Sequence, residues 1–541
     1  MRNLELPGRS PVHATEGMAA TSHPLATQTA IDVLKAGGNA IDAAVAACAV
    51  QCVVEPGSTG IGGDCFCLYS PGGSVGGEAK NPGEIVAYNG SGRAPAAASV
   101  AWYQERGIGE ISGDSVHSVT IPGAIDAWDR LVADHGRKSL PELLQPAIRH
   151  ARDGYPISSR VHVDFASQAA KLARDENAAR IFMPSGQVPR IGALHRQPEL
   201  AATLERIATH GRDEFYTGET ARDIVAYLRA RGGLHTEEDF ANHKGEYVTP
   251  ISAEFRGHTI HQCPPNGQGV IALLLLNIMS GIEAGAAKGG NPITLERIHT
   301  EIEAGRLAYA ARAAWLADPA VAEVPVERLL SAEYADRLRA AIDPARVQDP
   351  ARLIDLPNHQ STVYISVVDR DRNACSFINT LFDNFGSGIC TPTGVTLTNR
   401  AQGFSLDPAS PNRIEGGKRP LHTIIPGMVS RGGRVVMSFG VMGGQYQAFG
   451  HMQFLTRFFD YGMDIQEAMD APRFMPDPFT GEVGIEGTVP VAIREQLAAR
   501  GHRVAAPAKP IGGSQAIWID WDEGVLTGGS DPRKDGCAIG Y

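Results

Sequence analysis

The spacing of apolar positions divides the chain into two unequal parts. Near the amino terminus Leu25, Ile31 and Leu34 recur on one side of a segment that opens at Pro24 and stops at Gly37-Gly38, which predicts a helix over 24–36. Asn39 then stands where it caps a second helix over 40–54, built largely from Ala, Val and Cys. A helix apolar around nearly its whole circumference is buried, and small side chains let it pack closely on a sheet. From about Ser118 to Val347 helical periodicity dominates, with breaks at Ile121-Pro122-Gly123 and between Cys263 and Gly269. From Ser361 onward the pattern becomes that of strands, at 363–368, 374–380, 395–398, 435–439, 516–520 and 524–528. An α-rich part thus precedes a β-rich part.

Composition narrows the function classes. The 541 residues are 43% hydrophobic and 20% charged, the usage of an ordinary folded protein, and long enough for several domains or one large α/β unit. A net charge of −11 without any dense basic block argues against a nucleic-acid partner. The eight cysteines show no repeated CxxC spacing, so reduced, mostly buried thiols are expected, with neither a metal site nor a disulfide framework. No stretch reaches about 18 uninterrupted apolar residues, so no membrane partner is expected. The first residues carry two arginines and no continuous apolar run, and the expected location is cytoplasmic.

One segment has strong internal logic. The β-rich runs 361–368 and 374–380 flank the polar turn Asp369-Arg370-Asp371-Arg372-Asn373, which reads as a hairpin centred near Asp371. With that centre, facing residue numbers sum to 742, and Thr362 lies opposite Thr380. Their Cβ atoms then sit about 4.5–5.5 Å apart, provided the register does not slip. Geometry alone leaves both open as ordinary strand threonines. The loop Gly60-Ile61-Gly62-Gly63 precedes a strand rather than a helix, so tight backbone packing fits it better than a phosphate cradle. Gly72-Gly73-Ser74-Val75-Gly76 matches a serine-nucleophile string but has no helix after it and reads as a turn. His258 and His261 fall on opposite faces of a strand and make a weak metal pair. Gly443-Gly444, after a strand, fits a structural turn and also a pair of amides facing an oxyanion.

Taken together, the chain resembles the γ-glutamyltransferase family of N-terminal nucleophile hydrolases over nearly its whole length. The matching strings run in family order: GGNAIDAA from Gly37, Gly60-Ile61-Gly62-Gly63, Ile121-Pro122-Gly123, Phe215-Tyr216-x-Gly218, Ala317-Asp318-Pro319, Ser366-Val367-Val368-Asp369, Lys418-Arg419-Pro420, Gly443-Gly444 and Ser530-Asp531-Pro532-Arg533. The resemblance implies an α/β, four-layer αββα sandwich and self-cleavage between Ser361 and Thr362. It implies a large subunit, 1–361, and a small one, 362–541, intertwined in one fold and able to assemble as a homodimer of heterodimers. Thr362 is then the nucleophile, Thr380 its assistant, and Gly443 and Gly444 the oxyanion hole. No cofactor and no metal are implied. A freed α-amine has an unperturbed pKa of about 7.7–8.0 and serves as base for its own hydroxyl.

The resemblance weakens at substrate recognition. The family's substrate arginine is displaced by two positions onto Arg93, an asparagine is replaced by Phe382, and an acidic residue becomes Gly403. A serine pair becomes His422-Thr423, which with Arg93 forms the expected substrate contacts. These changes are similar to the amidohydrolase and acylase branch. They point to a small amide, oxamate above all, while γ-glutamyl compounds such as glutathione and other acyl substrates stay open. An inactive binding relative is the non-enzyme alternative.

Overall fold

The computed structural model describes residues 8–73, 84–282, 290–348 and 362–541. Ser361, the expected residue ahead of the cut, and the turn at Ser74–Gly76 lie outside the described residues.

Two seven-stranded antiparallel sheets form the centre. The first runs Val12–Ala14, Val525–Ser530, Gly513–Asp520, Arg434–Met442, Gly427–Arg431, His258–Gln262, Ile251–Phe255. The second runs Cys537–Gly540, Met18–Thr21, Val363–Val368, Ala374–Thr380, Asp64–Ser70, Val86–Gly90, Glu246–Val248. Each sheet therefore draws strands from both sides of the 361/362 junction. The division into an α-rich and a β-rich part understates this mixing.

Side-chain alternation sorts the layers. In the second sheet Tyr364, Val368, Ala374 and Ile378 join Met428, Ile517 and Leu526 of the first in a cluster between the sheets. The alternate residues Ile365, Val367, Cys375 and Phe377 face outward into the helices Pro24–Lys35, Ala40–Val54, Ala124–His135 and Leu140–Asp153. On the far side, Val429, Met437, Phe439 and Val441 face Gly269–Ser280, Leu295–Trp315 and Tyr446–Phe459. The order of layers is helix, sheet, sheet, helix, which is the αββα sandwich.

Local sequence explains the elements that carry the site. Asn39 accepts from the amides of Ile41 and Asp42, closing a capping box, and every residue of Ala40–Val54 is buried. The expected strand at 395–398 is absent; only isolated bridges join Thr396 to Cys390 and Leu397 to Gly62. Gly394, at φ +81°, turns the backbone immediately before it and leaves too few residues for a ladder. The cysteines are free thiols, all buried except the half-buried Cys537. His261 bonds Ser430 Oγ at 2.8 Å and His258 bonds the Arg256 carbonyl at 3.0 Å, so both act within the protein.

Candidate active site

The hairpin has the register that its turn predicts. Val363 faces Asn379 and Val368 faces Ala374, each pair summing to 742. The turn is held by Asp369: Oδ1 accepts from the amides of Asp371 (2.9 Å) and Asn373 (3.0 Å), and Oδ2 from the amide of Ala40 (3.0 Å). This last bond ties the turn to the buried helix, and burial raises the Asp369 carboxyl to about 6. Thr380 shares the parity of Tyr364 and Ile378, and Thr362 precedes its strand by one residue with the same parity. Both therefore lie toward the space between the sheets, at one end of the hairpin.

There Thr362 Oγ1 and Thr380 Oγ1 are 3.3 Å apart, both residues buried. The Phe382 amide donates to Thr380 Oγ1 at 2.8 Å, so one lone pair of that hydroxyl is occupied and its proton can turn toward Thr362. Gln447 Nε2, near the start of the helix Tyr446–Phe459, approaches Thr362 Oγ1 at 3.4 Å. Two donors converging on one oxygen favour negative charge on it.

Gly443 and Gly444 link the strand Arg434–Met442 to the helix Tyr446–Phe459, with φ of +127° and +57°. That backbone is open to glycine and strained for other residues. The Gly443 carbonyl accepts from the Tyr446 amide at 3.1 Å, so the N–H of Gly444, trans across the same peptide plane, points away from the helix. The Gly444 carbonyl accepts from the Gln447 amide (3.2 Å) and Gln268 Nε2 (3.1 Å). Thr362 and Gly443 line one crevice, together with Lys534, whose ammonium burial lowers to about 8. Arg160 and Lys509 on that crevice also line a neighbouring cavity of about 520 Å³.

A second layer joins the expected contacts His422, Thr423 and Arg93 to residues that sequence reasoning missed, Gln268, Arg312, Asp64 and Arg400. Gln268 also donates to the Thr423 carbonyl (2.9 Å), and its own oxygen accepts from the fully buried Arg312 (2.7 Å). Asp64, also fully buried, accepts from His422 Nε2 (2.9 Å) and from the Gly92 amide (2.8 Å). His422 accepts from the Ile424 amide through Nδ1 at 3.3 Å, so both ring nitrogens have partners and the tautomer is set. Burial, aided by Arg400, lowers its pKa to about 4 and keeps it neutral. As a direct substrate contact His422 has no free ring nitrogen; it orients Asp64. Arg400 Nη1 donates to Thr423 Oγ1 at 3.1 Å. Arg93 meets the Gly417 carbonyl (3.1 Å) and Asp318 (3.8 Å), at the edge of this network.

The glycine loop is a packing device. A Cβ on Gly63 would lie 2.1 Å from the Thr380 carbonyl oxygen, and one on Gly62 2.3 Å from that of Thr396. Chemically, the arrangement offers a hydroxyl with convergent donors beside a turn that presents an amide, the parts of an acyl-transfer site.

Comparison with known proteins agrees. The profile of the γ-glutamyltranspeptidase family matches residues 26–541. The sequence is 37% identical to a glutathione hydrolase-like proenzyme of Bacillus subtilis, covering 98% of this chain and 99% of that one. It is 32% identical to an oxamate amidohydrolase proenzyme of Klebsiella pneumoniae, covering 98% and 99%. The fold superposes on a cephalosporin acylase from Bacillus halodurans with a TM-score of 0.89 at 37% identity, covering 100% and 99% of the two chains.

Proposed function

This chain belongs to the γ-glutamyltranspeptidase family of amide hydrolases and acyltransferases, and on that footing we propose that it cuts itself before Thr362 and then cleaves a small amide whose acyl group carries a carboxylate and no α-amine, oxamate being the simplest. The observation that carries the reading is the 3.3 Å contact between Thr362 and Thr380 in a hairpin whose register admits no other threonine pair.

In the precursor, Thr362 Oγ attacks the carbonyl carbon of residue 361, and the peptide bond is exchanged for an ester. Water opens the ester, leaving a carboxylate on the large subunit and a free α-amine on Thr362. That amine takes the proton of its own hydroxyl, and Lys534 in the same crevice, as a like charge, favours its neutral form. Oγ then attacks the substrate amide. The oxyanion meets the N–H groups of Gly443 and Gly444, the protonated amine gives its proton to the leaving amine, and water resolves the acyl-enzyme.

The absence of an acidic side chain at Gly403 supports a substrate without an α-amine. A γ-glutamyl amide is the second reading, favoured by the 37% identity to a glutathione hydrolase-like proenzyme. Intact masses of wild type and Thr362→Ala test the core of the proposal. Wild type is expected as pieces of 361 and 180 residues and Thr362→Ala as one chain of 541. A folded wild type that stays whole overturns it.

A further inference from the structure

We propose that Arg400 is the specificity-determining residue that grips the carboxylate of the substrate's acyl group, through the edge of its guanidinium formed by Nε and Nη2. The proposal rests on the reading of the site as a threonine amidohydrolase and adds to it the residue that recognises the acid.

Arg400 has no solvent exposure, which is unusual for a side chain that cannot readily lose its charge. Its Nη1 has a partner in Thr423 Oγ1, but Nε and Nη2 have no hydrogen-bond partner among the described residues. Those two atoms form one edge of the planar group, and their N–H bonds run parallel, the fork that takes a carboxylate bidentately. Asp64 Oδ2 stands 3.7 Å from Nε, near enough to balance charge and too far to bond. Both oxygens of Asp64 are already engaged, by His422 and by the Gly92 amide. Burial without that bonding lowers the Arg400 pKa to about 9, with Asp64 and Asp383 opposing the shift.

The surroundings hold this edge in place. The guanidinium carbon lies 3.7 Å from the centre of the Phe382 ring, a stacked cation–π contact. Phe382 has φ of +78°, a conformation that strains a non-glycine residue and persists where the surroundings impose it. Its amide bonds Thr380 Oγ1, the hydroxyl that touches Thr362. On the other side, Thr423 is joined through Gln268 to the Gly444 carbonyl. The fork is thus fixed to both the hydroxyl pair and the glycine turn. Arg93, the arginine singled out by resemblance, already meets Gly417 and Asp318 and is partly exposed.

Two matched pairs of probes test the assignment on the self-cleaved enzyme: oxamate against oxamide, and succinyl- against butyryl-p-nitroanilide. Within each pair a carboxylate is exchanged for a neutral group, a carboxamide of similar size in the first and a methyl group in the second. Wild type is expected to prefer the charged member of at least one pair. Arg400→Gln is expected to lower kcat/KM for that member about 100-fold, mainly through KM, and to leave the neutral member within about threefold, because one side of a charge-assisted bidentate pair is removed. Arg400→Lys falls between, since an ammonium cannot form the fork. An equal loss on both members makes Arg400 structural and overturns the proposal. Where Arg400→Gln does not mature, inhibition of wild type by succinate against succinamide decides: equal inhibition overturns the proposal. A wild type that neither splits nor hydrolyses any probe fails at the mass measurement, and there the amidohydrolase reading itself falls, taking this assignment with it.

Discussion

Replacing Thr380 by valine exchanges a hydroxyl for a methyl group while keeping the β-branched shape that suits its buried strand. In the structure that hydroxyl accepts the Phe382 amide at 2.8 Å and lies 3.3 Å from Thr362 Oγ1. Loss of the first bond removes a buried acceptor and costs stability of about 1–3 kcal/mol. Loss of the second removes a donor to an oxygen that becomes negatively charged, about 1.5–3 kcal/mol in each transition state, or roughly 10- to 100-fold in rate. Self-cleavage and turnover are both expected to slow by that factor, because one hydroxyl serves both steps. Intact mass against time measures the first, p-nitroaniline release by the matured fraction measures the second, and urea unfolding separates either from a loss of folding. Thr380→Ser, which restores the oxygen without the methyl, is expected to recover most of both rates. A valine variant that matures and turns over within about threefold of wild type, well inside the expected loss, refutes the assistance assigned to Thr380.

Gly63→Ala puts a methyl group 2.1 Å from the Thr380 carbonyl, so the strand end must move; a lower urea midpoint and slower self-cleavage are expected, and an unchanged variant shows that the loop does not set the position of Thr380. Acid is expected to destabilise the protein between pH 6.5 and about 4. Burial lowers His23, His235, His243 and His422 from 6.5 to about 4, so in this window the unfolded chain binds protons that the folded chain refuses. Asp369, raised to about 6, has the opposite sign and offsets part of the effect. A urea midpoint at pH 5 equal to or above that at pH 7.5 contradicts this.

What the sequence revealed was local in origin. The hairpin could be paired on paper because a short polar turn fixes its own centre, and Asp369 does fix it. The buried helix behind Asn39 was legible because its composition has no polar face. The residues that surround the threonine pair were not legible in the same way. Asp64 and His422 are 358 positions apart, Gln268 and Gly444 176, and no periodicity connects such pairs. Arg400 lies in a short 3₁₀ turn, Arg400–Gly403, and nothing in its neighbours announces that it is buried. Resemblance drew attention to Arg93 instead, because it tracks where an arginine stood and not which arginine keeps an unoccupied edge.

With the cut proposed at the 361/362 junction, the sharing of strands between its two sides gives maturation a direction in time. The intact precursor folds as one tethered chain, with its ends and middle held at high effective concentration. Once the tether is cut, the same sheets remain, but a denatured molecule becomes two independent polymers that must find each other before any ladder can close. Recovery from unfolding then depends on protein concentration, where first folding did not. The enzyme's durability therefore becomes a matter of how slowly it opens, since each opening forfeits the connectivity that built it.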